Sequence, residues 1–84
     1  MRPYRVFINL AALDTAPRSG VRRSRVIRFI NSLASDPFCV GDFSETDEIG
    51  RKVCVKIVED FAITFWADHP VSEVKVTHIK PADK

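Results

Sequence analysis

The sequence predicts an α+β domain: a twisted antiparallel sheet, made of an N-terminal strand and a C-terminal meander, with one or two helices packed on one face. Three observations carry this. Residues 4–10, YRVFINL, alternate, with Tyr4, Val6, Ile8 and Leu10 on one side and Arg5, Phe7 and Asn9 on the other. Val26, Ile27, Ile30, Leu33 and Ala34 recur at the i, i+1, i+4, i+7, i+8 spacing of a single helical stripe. After Gly50 the chain reads as three strand-like runs broken by short turn signals. With 84 residues the chain can bury one core, so residues 1–84 form a single domain.

Each element has a local reason. NLAALDTA forms a short helix that Pro17 and Gly20 end. Ser19 is a suitable N-cap for the main helix, which runs to about Ala34 and stops at SDPF, because a residue before proline is driven from helical angles. GDFSETDEIG, bounded by Gly41 and Gly50, reads as an acidic edge strand whose charges discourage edge-to-edge pairing. Strands follow over Arg51 to Val58, Phe61 to Ala67 and Glu73 to Lys80, with His69-Pro70 supplying the last turn.

The register of the hairpin VCVKIVEDFAITFW decides which face each side chain takes. A two-residue Glu59-Asp60 turn pairs Ile57 with Ala62 and sends the two apolar sets to opposite faces. A three-residue loop, Val58-Glu59-Asp60, pairs Ile57 with Phe61, Val55 with Ile63 and Val53 with Phe65, so that all six face one core. The longer loop is the expected one. The core then comprises Val6, Ile8, Val26, Ile30, Leu33, Val53, Val55, Ile57, Ile63, Phe65, Val74 and Val76.

The opposite face of that hairpin carries Lys52, Cys54 and Lys56 across from Trp66, Thr64 and Ala62. Parity adds Arg5, Phe7 and Asn9 from the first strand and Glu73, Lys75, Thr77 and Ile79 from the last. Lysines interleaved with Phe7 and Trp66 suit phosphates and stacked bases. The same pattern also fits the solvated side of a one-sided sheet. His78 shares the parity of Val74 and Val76, which makes it either a hydrogen-bonded core histidine or a catalytic one.

Other features bound the function. Arg18, Arg25 and Arg28 lie opposite the helical stripe, with Arg22 and Arg23 flanking it, a face for solvent or for an acidic partner. The net charge of +2 and pI near 8.7 permit nucleic-acid binding without arguing for it. Cys39 and Cys54, His69 and His78 make no metal-ligand motif, and no cofactor is implied. The apolar run FAITFWA falls far short of the ~20 residues of a membrane helix, and no signal sequence opens the chain; the expectation is a cytoplasmic protein with reduced thiols.

The opening strand YRVFINL, the passage RSRVIRFINSLASDPF and the meander GRKVCVKIVEDFAITFWADHPVSEVKVTHIKPAD together resemble the RelE/ParE toxin superfamily. These are the small toxins of bacterial type II toxin–antitoxin pairs, also called plasmid stabilisation proteins. The resemblance spans the whole chain and is most specific in the meander. It implies helices on one sheet face and an open concave face on the other. RelE-like members are ribosome-dependent mRNA endoribonucleases, or mRNA interferases, that cut without a metal by means of basic residues on the concave face. ParE-like members inhibit DNA gyrase, and both kinds are silenced by a cognate antitoxin.

Carried onto this sequence, the resemblance places Lys56 at the family's strand lysine, with Arg51 and Lys52 entering the same strand, and Lys80 near its last basic position. Ala62 stands where the family has an arginine, and no tyrosine follows the last strand. The resemblance thus implies Lys56, His78 and Lys80 as a reduced catalytic set. Together with the parity of the open face it gives Arg51, Lys52, Lys56, Trp66 and Lys75 as the expected nucleic-acid contacts, while the charge of Arg18, Arg22, Arg25 and Arg28 suits an acidic segment of the antitoxin. The alternative is a toxin of the same fold without cleavage, either a gyrase inhibitor or a relic that only binds its antitoxin.

Overall fold

The computed structural model describes residues 2–82. Strand β1 spans Arg5–Ile8, helix α1 Leu10–Asp14, helix α2 Gly20–Ser32, β2 Phe43–Thr46, β3 Lys52–Val58, β4 Phe61–Asp68 and β5 Glu73–Pro81, with a 3₁₀ turn at His69–Val71 before β5. The sheet order is β1-β5-β4-β3-β2. The meander from β2 to β5 is antiparallel, but β1 runs parallel to β5, with Val6 opposite Val74 and Ile8 opposite Val76. The sheet is therefore mixed: the two helices return the chain so that β1 and β5 run the same way.

Local chemistry sets the helices. The Asn9 side chain accepts a hydrogen bond from the Ala11 N–H at 2.8 Å and caps α1. Thr15, just past α1, ties that helix to β5 through the Ile79 carbonyl. Ser19 occupies the N-cap of α2, but its hydroxyl makes no capping bond. Val26, Ile30 and Leu33 of the helical stripe are buried against Ile63, Phe65, Val74, Val76 and Ile79 of the sheet. The Phe29 ring meets Phe65 edge-on at 5.8 Å.

The hairpin register differs from the expected one. Glu59 and Asp60 have φ of +51° and +67°, the two left-handed residues of a type I′ turn. Val58 therefore pairs with Phe61, Ile57 with Ala62 and Lys56 with Ile63. A two-residue turn of this kind carries the twist of its flanking strands, and Arg25 of α2 holds Glu59 at 2.6 Å. This turn wins because both faces of β3 and β4 bury apolar groups. Ile63 and Phe65 lie under the helices, while Val53, Val55, Ala62 and Thr64 are buried on the other face. Ile57, expected in the core, is 36% exposed, and Lys52, Cys54 and Lys56 move to the helix-covered side.

A β-bulge supplies the second correction. Thr64 pairs with His78 but Phe65 pairs with Val76, so Thr77 is an extra residue in β5. Parity inverts there. Ile79 enters the core at 0% exposure, and His78, matched by simple alternation to Val74 and Val76, turns to the open face.

β2 is seated by a close backbone approach. Gly41 has φ of +70°, and a Cβ there would fall 2.5 Å from the Val55 carbonyl oxygen. The Asp42 N–H donates to that same oxygen at 2.8 Å, and the Asp42 carboxylate accepts from the Ile57 N–H at 2.8 Å. That N–H, aided by Lys56 at 3.4 Å, holds the Asp42 carboxyl below its ordinary pKa against desolvation. Gly41→Ala should destabilise the domain by ~1–3 kcal/mol in urea denaturation, through strain and a displaced β2. Gly50→Ala, at φ +85° with open space around it, incurs the backbone term alone and should cost less.

Candidate nucleic-acid interface

On the face that the helices leave free, β5, β4 and β3 present a row of polar side chains around a cleft of about 400 Å³. Arg51, His78 and Lys80 line it together with Thr64 and Thr77; Glu45, Thr46, Asp47 and Glu48, from β2 and the turn after it, form the remaining polar wall. Arg51 is held from below and beside. Its guanidinium lies 4.0 Å from the centroid of the Trp66 ring, and Asp47 pairs with it at 2.9 Å. Asp47 also accepts the N–H groups of Arg51 at 2.8 Å and Ile49 at 3.1 Å, which fixes the turn between β2 and β3. Desolvation opposes the ionisation of Asp47, but these bonds and the Arg51 charge outweigh it, and its pKa is lowered.

The bulge positions His78. The Thr77 hydroxyl lies 3.5 Å from the Thr64 carbonyl and 3.0 Å from Nδ1 of His78. When that hydroxyl donates to the carbonyl, its oxygen accepts from Nδ1–H, and Nε2 keeps the lone pair that a general base needs. Lys80 follows two residues later on the same face, opposite Ala62.

The sequence-derived site is thus divided. Arg51, Trp66, Lys75, His78 and Lys80 share the open face. Lys56 does not: it lies beside Ile63 and pairs with Asp42 at 3.4 Å. Lys52 also leaves this face and lines a neighbouring cleft. Trp66 does not offer a bare ring, because Arg51 covers it and the Lys75 ammonium stands 5.2 Å from its centroid. Lys75 is further paired with Asp68 and Glu73, each at 3.5 Å.

On the helix side, Arg18, Arg22, Arg25 and Arg28 are exposed as expected. Arg25 is engaged by Glu59, while Arg28 lines a shallow groove with Arg23, Ser24, Ile27 and Asn31. Thr64 and Thr77 lie on the open face as alternation placed them, but the carboxylates of Glu45, Asp47 and Glu48 were not foreseen as part of the cleft.

These features define a small α+β domain with a two-helix cover on one face and a mixed-charge cleft on the other. The same architecture occurs in the crystal structure of the archaeal RelE–RelB complex from Pyrococcus horikoshii OT3. A chain of that complex superimposes with a TM-score of 0.78 over 98% of each chain, at 14% identity. The chain therefore has the RelE toxin fold. No protein-family model matches the sequence, and no curated protein matches it. No helix among the described residues is long and apolar enough to cross a membrane.

Proposed function

We propose that this chain is the toxin of a toxin–antitoxin pair and that it acts on ribosome-bound mRNA through the open-face cleft. The observation that carries this reading is the meeting of Arg51, His78 and Lys80 in one cleft of a RelE fold. In the proposed reaction, Nε2 of His78 takes the proton of a ribose 2′-hydroxyl as that oxygen attacks the adjacent phosphorus. The bond to the 5′-oxygen breaks, and a protonated group of the cleft returns a proton to the leaving oxygen. The products are a 2′,3′-cyclic phosphate and a 5′-hydroxyl. Lys80 and Arg51 stabilise the charge that builds on the phosphoryl oxygens. The cognate antitoxin docks on the arginine-bearing face of α2, with Arg18, Arg22 and Arg28 meeting its carboxylates.

Glu45, Asp47 and Glu48 on the facing wall favour a second reading, since carboxylates repel phosphate. In that reading the same fold binds protein alone, as a DNA gyrase inhibitor or as a relic that keeps only its antitoxin. Expression of the chain should arrest growth, and the product of an adjacent gene should relieve the arrest. Primer extension on mRNA from translating ribosomes should then reveal new 5′ ends. Growth arrest with intact transcripts would support the protein-binding reading instead.

A further inference from the structure

Phe38 is 65% exposed, yet its ring is braced. One face stacks on the His69 imidazole, with centroids 4.8 Å apart and planes 14° apart. His69 is fixed in turn by a 2.8 Å hydrogen bond between its Nδ1 and the Tyr4 hydroxyl, and the Tyr4 ring meets it edge-on at 5.7 Å. The residue before Phe38, Pro37, is buried. The start of β1, the loop after α2 and the turn before β5 thus converge to hold one aromatic ring with its other face in water.

This ring stands on the rim of a second cleft, of about 370 Å³, whose lining includes Arg51, Lys52 and Trp66. No carboxylate lines it among the described residues, in contrast to the first cleft. Lys52 is exposed and forms no ion pair among the described residues. Arg51, which stacks on Trp66, lines both clefts.

We propose that Phe38 and Lys52 form a nucleotide subsite for single-stranded RNA, beside the cleft that holds His78 and Lys80. A base stacks on the free face of Phe38, and its phosphate lies against Lys52. A flat, immobilised aromatic surface next to an uncompensated cation matches a nucleotide in both shape and charge. The inference rests on the RNA reading above, and it locates where a strand continues once it leaves the cleft.

Fluorescence anisotropy with labelled 2′-O-methyl oligonucleotides, which resist cleavage, tests it. The wild-type protein should bind a hexanucleotide more tightly than a dinucleotide. Phe38→Ala should weaken hexanucleotide binding roughly 5- to 150-fold and leave the dinucleotide unchanged, while Phe38→Trp should retain the wild-type affinity. Lys52→Gln should reduce the salt dependence of hexanucleotide binding by about one unit of log–log slope. Equal losses for both lengths, or no loss with Phe38→Ala, would overturn the subsite while leaving RNA binding intact. So would loss of antitoxin capture with RNA affinity unchanged, which would mark Phe38 as a protein contact. If the wild-type protein binds neither length, the RNA reading fails and the subsite with it.

Discussion

Phe65→Ala is expected to remove about 3–5 kcal/mol of stability, the range for truncating a large buried aromatic. An 84-residue domain has a total of only ~4–13 kcal/mol, so the variant should be close to unfolding at ambient temperature. Phe65 is 2% exposed, meets Phe29 of α2 edge-on, and sits beside the bulge where β4 changes partners on β5. Truncation leaves a cavity that the bulged strand and the helix would both have to close. Urea denaturation followed by circular dichroism measures the cost. Ile57→Ala is the matched control, because the longer hairpin loop would place Ile57 in the same core. With 36% exposure on the opposite face, it should cost no more than about 1 kcal/mol. Equal costs for the two variants would contradict the observed register.

His78→Ala should lower mRNA cleavage by ~10²–10⁴-fold, the contribution typical of a positioned general acid–base. Because His78 is exposed and outside the core, the variant should keep its stability and its binding to the antitoxin. Thr77→Val removes the hydroxyl between the Thr64 carbonyl and Nδ1 of His78, and should slow the cleavage step while leaving RNA affinity nearly unchanged. Lys56→Ala separates the structural assignment from one made by sequence resemblance. Lys56 lies on the other side of β3, paired with Asp42, and its removal should leave cleavage near the wild-type rate. Single-turnover cleavage on programmed ribosomes gives all three values. Loss of activity in Lys56→Ala, with His78→Ala still active, would refute the cleft as the reaction centre.

Much of the fold was legible because its signals are local. The alternation of YRVFINL, the stripe from Val26 to Leu33 and the turn residues around His69-Pro70 each specify an element from within a few neighbouring residues. The aligned order of strands and helices was enough to express the RelE resemblance that the superposition at 14% identity bears out for the fold. The composition of the open face was legible in part: Arg51, Trp66, Lys75 and Lys80 fall there as alternation or resemblance suggested.

What alternation could not supply was its own origin in each strand. A one-residue change in a turn or a bulge inverts every side chain beyond it. The Glu59-Asp60 turn put Lys52 and Lys56 on the side of β3 away from the His78 cleft, and the extra Thr77 exchanged His78 with Ile79. Neither change has a strong local marker, since Glu, Asp and Thr occur in many turns and strands. The seating of Phe38 on His69 likewise joins residues far apart in the chain. Local patterns were enough to mark out the strands and helices and to show which residue types are available to bind phosphate. Which of them face one another emerges from packing alone, because register is set where both sheet faces compete for burial at once, and no single strand records that competition.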